Sequence, residues 1–232
     1  MIDAVVLAGG KGARLASVVS DVPKPLAPVG GKPFLDHVLA FLAVSEVVPR
    51  VILSIGHMAD QIIEHYTDHP AALPLTFSVE STPLGTGGAV LLARQRIKSD
   101  HFLVLNGDSI VGVQLSELIA RHISSAADAS LTLVESPDSG RYGSVKLDGD
   151  RVVGFEEKKP EAGPGLINAG LYVFRSTSLA TFPIIRCSLE RDIFPKLLSG
   201  HVRGEIASGP FIDIGLPEAY AKAGELMRTF PL

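Results

Sequence analysis

The feature that most constrains the fold is a short apolar run, Ala4-Val5-Val6-Leu7-Ala8, that stops abruptly at Gly9-Gly10-Lys11-Gly12-Ala13-Arg14. A run this short with no polar alternation needs cover on both faces, which is the environment of a central parallel strand. Parallel neighbours need long crossovers, and the chain supplies them. Val51-Ile52-Leu53-Ser54-Ile55, Leu75 to Val79 and His101 to Leu105 read as further strands. Between and after them lie helical segments at Pro33 to Leu42, Met58 to Tyr66, Gly87 to Ile97 and Leu115 to Ser124. This alternation predicts an α/β fold with a mostly parallel sheet and helices on both faces.

After Ala129 the period changes. Ser130 to Val134, Ser144 to Leu147, Val152 to Phe155 and Gly170 to Phe174 read as strands, with Asp148-Gly149-Asp150 as a hairpin turn. Glu190 to Leu198 and Pro217 to Met227 read as closing helices. The second half is therefore expected to extend the sheet in antiparallel fashion. No linker, repeat or low-complexity tract divides the chain, so 1–232 is expected to form one domain.

Composition excludes several classes. Lys plus Arg is 21 against 25 for Asp plus Glu, and the net charge of −4 argues against a protein that coats a polyanion. With no tryptophan and 6% aromatics, stacking platforms for nucleic acid are scarce. Cys187 is the lone cysteine, which rules out an internal disulfide framework and a Cys-rich zinc module. No apolar run approaches the roughly 18 residues of a membrane helix. Met1-Ile2-Asp3 lacks a basic leader, so neither membrane nor secretion is expected and a cytoplasmic location is.

The glycine loop after the first strand lies where an open α/β sheet receives a ligand. Glycines let backbone N–H groups approach a phosphate, and Lys11 and Arg14 add charge. Two familiar loops fail when tested. Leu15 stands where a dinucleotide fingerprint needs its last glycine, and Gly30-Gly31-Lys32 runs into Pro33 where a P-loop needs Ser or Thr. A tight strand-to-helix turn would explain the loop in isolation. Pro23-Lys24-Pro25 then holds a lysine between two fixed φ angles, and Pro83-Leu84-Gly85-Thr86-Gly87-Gly88 forms a second glycine loop before a helix. Two such loops on one sheet suggest a mononucleotide and a second ligand. Asp108, in Asn106-Gly107-Asp108, falls at a strand's carboxyl end, and Asp213 sits within Phe211-Ile212-Asp213-Ile214. A carboxylate in an apolar run is paired or metal-bound if buried, and two carboxylates with nucleotide phosphates are a usual magnesium arrangement. Taken singly, a turn former and a helix cap remain open readings of these two. His57, His65 and His69 lack a third ligand or an in-register glutamate and read as surface residues. No Gly-x-Ser-x-Gly supports a serine hydrolase.

In order, Leu7-Ala8-Gly9-Gly10-Lys11-Gly12-Ala13-Arg14-Leu15, Pro23-Lys24-Pro25-Leu26-Ala27-Pro28-Val29, Pro83-Leu84-Gly85-Thr86-Gly87 and Asn106-Gly107-Asp108 resemble the sugar-1-phosphate nucleotidyltransferases. The resemblance continues through Tyr142-Gly143, Phe155-Glu156-Glu157-Lys158, Ile167 to Phe174, Ser188-Leu189-Glu190-Arg191-Asp192 and Ile212-Asp213-Ile214-Gly215, covering nearly the whole chain. Within that family the chain is most similar to the guanylyltransferases that make GDP-D-glycero-α-D-manno-heptose.

The resemblance implies a Rossmann-like fold, with 1–128 mainly binding nucleotide and 129–232 mainly binding sugar phosphate. It also implies transfer of a nucleoside monophosphate from a triphosphate, GTP first, to a sugar 1-phosphate, feeding surface polysaccharide synthesis. Leu7, Ala8, Gly9, Gly10, Lys11, Gly12, Glu80, Pro83, Gly85 and Thr86 would line the nucleotide. Arg14 and Lys24 would bind phosphates, and Asp108 and Asp213 would hold Mg²⁺. Asn106, Tyr142, Gly143, Glu157, Lys158, Asn168 and Glu190 would surround the sugar phosphate. Partners are the two substrates, and a homodimer is compatible with the resemblance. The 232 residues leave no room for the C-terminal β-helix of larger relatives, so no acetyltransferase activity is expected. Ala16-Ser17-Val18-Val19 departs from the family's usual Pro and Thr, and Glu80 stands where relatives using uridine or thymidine triphosphates carry Gln. A carboxylate accepts both adjacent donors of guanine's pairing edge, which an amide cannot do. Mannose or glucose 1-phosphate with GTP, UTP or dTTP, and a non-catalytic nucleotide-sugar sensor, stay open as alternatives.

Overall fold

The computed structural model describes residues 1–140, 143–156 and 163–230. In chain order the first half gives strands β1 (Asp3–Leu7), β2 (Pro28–Val29) and β3 (Lys32–Pro33), helix α1 (Phe34–Val44), β4 (Val51–Ile55) and α2 (Ala59–Asp68). Then come β5 (Leu75–Val79), α3 (Gly85–Ala93), β6 (His101–Asn106), β7 (Ser109–Val111) and α4 (Leu115–Ser124). The second half holds β8 (Ala129–Ser136), β9 (Ser144–Asp148), β10 (Arg151–Glu156), β11 (Gly165–Arg175), α5 (Phe194–Leu197), β12 (Val202–Ile206), β13 (Phe211–Asp213) and α6 (Pro217–Arg228).

Nine strands form one sheet in the order β5-β4-β1-β6-β11-β8-β12-β10-β9. β5, β4, β1 and β6 are parallel neighbours, and β11 joins β6 antiparallel. Chain order runs outward from β1 through β4 to β5, then returns to β6 on the other side of β1. That reversal is a topological switch point, where the carboxyl ends of two adjacent strands splay apart and leave a crevice. Helices α1, α2, α4 and α6 cover one face of the sheet and α3 and α5 the other, each closing an apolar core. Asp3 holds the opposite end. Its carboxylate accepts two hydrogen bonds from Arg50 at 2.8 and 2.7 Å and one from the Lys98 amide at 2.7 Å, tying β1 to the starts of β4 and β6. Among the described residues, no helix is long and apolar enough to cross a membrane.

Several boundaries differ from expectation. The helix expected at Gly87 to Ile97 begins at Gly85 and stops at Ala93, with a 3-10 turn over Arg94–Arg96. Instead of a helix from Glu190, a π-helical turn spans Leu189–Ile193 before α5. Pro195 has no N–H to give the preceding turn, so the α-ladder cannot continue through it. β2, β3, β7 and β13 are too short for periodicity to reveal. The antiparallel extension has one parallel pairing, β12 with β8.

A pair of histidines, His122 buried and His101 half-buried, ties α4 to the amino end of β6. His122 has its Nε2 3.0 Å from His101 Nδ1 and its Nδ1 2.8 Å from the Ser130 hydroxyl. Burial, then the charges of His101, Arg175 and His201, hold His122 down to about 4, with Asp128 opposing. The unfolded chain protonates first, near 6.5, so stability is full above that pH and is lost as pH falls towards about 4. The expected loss is about 3 kcal/mol. Urea titrations at pH 7 and 4.5 should show it, and His122→Asn should flatten the difference. An equal loss in the variant would assign the acid sensitivity to other groups.

Candidate active site

The crevice at the switch point opens into a cavity of about 1170 Å³. Its floor is a row of residues in register across three strands, with Ser54 beside Leu7 and Leu7 beside Asn106. The loop after β1 is laced to its neighbours: the Ala8 N–H donates to Ser54 O at 2.7 Å, and the Gly107 N–H donates to Leu7 O at 2.8 Å. Gly9 has no space for a side chain, since a Cβ would lie 2.9 Å from Glu80 Oε1. Leu7, Ala8, Gly9, Gly10, Lys11, Lys24, Glu80, Pro83, Gly85, Thr86, Asn106 and Asp108 line the cavity, whereas Gly12, Arg14, Gly143, Asn168, Glu190 and Asp213 are outside its lining.

Lys24 stands in a 3-10 turn, Lys24–Leu26, with Pro23 before it and Pro25 within it. Gly12, at φ +59°, lies against its stem, and a Cβ there would sit 2.9 Å from Lys24 Cβ. So held, the side chain is 10% exposed and its Nζ is 2.5 Å from Asp108 Oδ2. Asp213 arrives from 105 residues further on. β13 pairs with β7 so that Asp213 faces Ser109, and the Ile214 N–H donates to Asp108 O at 2.9 Å. One Asp213 oxygen accepts from the Gly215 N–H at 2.6 Å. Burial and the neighbouring Asp108 push the Asp213 carboxyl up, while the Gly215 N–H, Lys24 and Arg14 pull it down. Arg14 is exposed and acts on Asp213 through its field; Leu15, fully buried, anchors its loop.

Two carboxylates forced together in a partly buried corner favour a multivalent cation. Among the described residues no third His, Cys, Asp or Glu joins them, so a metal there would take its other ligands from phosphate oxygens and water. The donor set fits an ion carried in with a nucleotide.

A hydrogen-bonded chain joins the second glycine loop to β11. The Thr86 hydroxyl donates to Glu190 Oε2 at 3.1 Å, as does Ser188 at 2.7 Å. Asn168 Nδ2 donates to the Tyr172 hydroxyl at 2.7 Å, and that hydroxyl reaches Glu190 Oε1 at 3.5 Å. Burial, then Glu190, drives the Tyr172 phenol well above its ordinary value, so it stays a donor. A bulge in β11 between Asn168 and Tyr172, with Gly170 at φ +75°, aims Asn168 away from the regular pleat. Gly143, at φ +82°, donates its N–H to Ser139 O at 2.9 Å in the turn before β9. Tyr142, Glu157 and Lys158 lie outside the described residues.

Sequence reasoning passed over Ser54, although a polar residue in the apolar run Val51–Ile55 was a visible signal. It also passed over Ile185 and Arg186, which line the cavity. Their segment is clasped to the second glycine loop: the Cys187 N–H donates to Leu84 O at 2.9 Å, and Cys187 O accepts from the Gly87 N–H at 2.9 Å. No local pattern announces that contact.

A family described as nucleotidyl transferase matches residues 3–229. The D-glycero-alpha-D-manno-heptose 1-phosphate guanylyltransferase of Aneurinibacillus thermoaerophilus is 36% identical over 99% of this chain and 100% of its own length. The mannose-1-phosphate guanylyltransferase of Mycobacterium tuberculosis is also 36% identical, over 98% of this chain and 65% of its own. The crystal structure of HddC from Yersinia pseudotuberculosis complexed with GMP-PN matches with a TM-score of 0.87 at 38% identity, covering 98% of this chain and 100% of that one.

Gly85 makes the clasp testable. It has φ +72°, and a Cβ would lie 2.6 Å from Cys187 O; Gly149 has φ +60° with open space around it. Gly149→Ala should cost only the backbone term, about 1–2 kcal/mol, and lower Tm by a few degrees. Gly85→Ala should lower Tm further and also weaken nucleotide binding, as read by calorimetry. Equal effects of the two variants would show that the clasp contributes nothing.

Proposed function

Because the chain belongs to the nucleotidyl transferase family, we propose that it joins GTP to D-glycero-α-D-manno-heptose 1-phosphate, forming GDP-heptose and pyrophosphate. The observation that carries this reading is the match, over the whole of both chains, to a heptose 1-phosphate guanylyltransferase. The cavity supports it with two glycine loops, Lys11, Lys24 and Asp108 in its lining, and Asp213 held next to Asp108. The reading takes 1–232 as one nucleotidyltransferase domain, acting in the cytoplasm, where nucleoside triphosphates are held.

The nucleophile is a phosphate oxygen of the sugar 1-phosphate, already anionic at neutral pH, so no general base is required. It forms a bond to the α-phosphorus as the bond to the bridging oxygen of the leaving pyrophosphate breaks, and the electron pair departs with pyrophosphate. The barrier lies in bringing two anions together in line, so positioning and fixed positive charge do most of the work. Lys24, clamped by its prolines and by Gly12, screens the incoming phosphate. Arg14 neutralises the departing pyrophosphate. Asp108 and Asp213 are the pair that would hold the divalent cation on which the family depends, Mg²⁺ in this reading. When bound, that ion supplies charge to the α-phosphate oxygens. Asn168 and Glu190, with Gly143, Glu157 and Lys158, serve the sugar phosphate.

Three measurements test the reading. Pyrophosphate release from GTP, ATP, UTP and dTTP, each with heptose, mannose and glucose 1-phosphates, should be fastest for GTP with the heptose. A clear preference for mannose 1-phosphate would move the enzyme to the alternative acceptor. Asp108→Asn and Asp213→Asn should lower turnover by orders of magnitude with circular dichroism unchanged, and EDTA should abolish it; undiminished turnover with metal shown to be absent would sink the mechanism. Lys24→Ala should cost about 10²-fold or more, with incomplete rescue by Lys24→Arg because a planar fork cannot occupy an ammonium's position.

Base choice is assigned to Glu80. Its N–H donates to Ile55 O at 2.8 Å, and its Oε2 accepts from the Leu84 N–H at 2.7 Å, which leaves Oε1 beside Gly9. Burial pushes this carboxyl up, and the Leu84 N–H pulls it down. A carboxylate here takes guanine's N1–H and 2-amino donors together, a discrimination of a few kcal/mol. Glu80→Gln should cut GTP use sharply and narrow the gap to UTP and dTTP. An unchanged nucleotide ranking would overturn this role.

A further inference from the structure

Ser54 is 0% exposed, and its hydroxyl has no hydrogen-bond partner within the protein. Among the described residues several buried side-chain polar atoms share that condition, including those of Ser78, Thr132 and His37, but of these residues only Ser54 lines the cavity. A buried hydroxyl without a partner costs about 1–3 kcal/mol, and on a cavity floor, unlike at those other positions, a ligand that arrives later can supply the missing partner.

Its position says which group. Ser54 belongs to the floor row that continues through Leu7 to Asn106, and strands lie about 4.8 Å apart, so Ser54 is about 10 Å from the Asn106 and Asp108 end. That is the span from the α-phosphate of a nucleotide to the far edge of its base. At its own end of the floor, Ser54 is one residue from Ile55, whose carbonyl holds the Glu80 amide, and two from Gly56, where a Cβ would lie 3.5 Å from the Glu80 side chain. A carboxylate can only accept hydrogen bonds, whereas a hydroxyl can donate. The pair therefore complements an edge that presents donors beside an acceptor.

We propose that Ser54 is a second base-reading residue, donating its hydroxyl to the guanine carbonyl that flanks the N1–H read by Glu80. The inference rests on GTP being the nucleotide. It makes Ser54 a specificity residue in contact with substrate, distant from the reacting phosphorus.

Ser54→Ala removes one oxygen from a site with no internal partner, so the free variant should melt no lower than wild type. Its KM for GTP should rise about tenfold, the loss of one neutral hydrogen bond, with kcat affected far less. Inosine triphosphate keeps the carbonyl and the N1–H and should show the same rise. The triphosphate of 2-aminopurine riboside keeps ribose, phosphates and the 2-amino group but lacks the carbonyl; its inhibition constant against GTP should not change. The stabilisation by GTP in a thermal-shift assay, a readout independent of turnover, should shrink in the variant. An unchanged KM for GTP, an equal loss for the 2-aminopurine nucleotide, or a lower Tm of the free variant would each overturn the proposal. A wild-type enzyme that does not prefer GTP would instead overturn the reading on which it rests.

Discussion

The site depends on a buried parallel sheet whose strand order reverses around β1. A strand covered on both faces cannot shift register without exposing apolar side chains, so the carboxyl ends of β1, β4 and β6 stay level. Only at the reversal do the connections leave in opposite directions, and there the backbone of Gly10 meets open space instead of a helix. Asp3, bonded to Arg50 and to the Lys98 amide, fixes the same three strands at their other end. Rigidity below and an opening above follow from one topological fact.

Charge is then placed in that opening at a cost the fold tolerates. Asp108 and Asp213 repel, and burial disfavours Asp213 as an anion, yet the β7–β13 ladder holds them side by side. Lys24 is the local counterweight, delivered by a turn that its flanking prolines stiffen. A corner that is uncomfortable without cations is suited to a substrate that brings phosphates and a metal together.

Side-chain hydrogen bonds join the second glycine loop to the core beyond it. Thr86 on the nucleotide loop, Glu190 on the π-helical turn, Tyr172 in the core and Asn168 on the β11 bulge form one chain of hydrogen bonds. Each member fixes the orientation of the next, which suits a reaction that needs two anionic ligands aligned before either bond changes.

Much of this was legible in the chain itself. The apolar runs at Val5, Ile52 and Val104 read as buried strands, the glycines after Leu7 as a close-approach loop or a tight turn, and Pro23 and Pro25 restricted where Lys24 could swing. These are local properties, set by residues within one turn or one strand of each other. The tertiary structure alone decided what is non-local. It set Asp213 beside Asp108 through two three-residue strands, the clasp of Cys187 on the loop at Gly85, and the bulge that aims Asn168. It also left Ser54 without a partner on the cavity floor. Strands of two or three residues carry no periodicity, and a contact between positions a hundred residues apart owes its energy to packing on both sides at once. Sequence therefore determined which chemistry the chain carries, and only the folded sheet decided which of those groups meet.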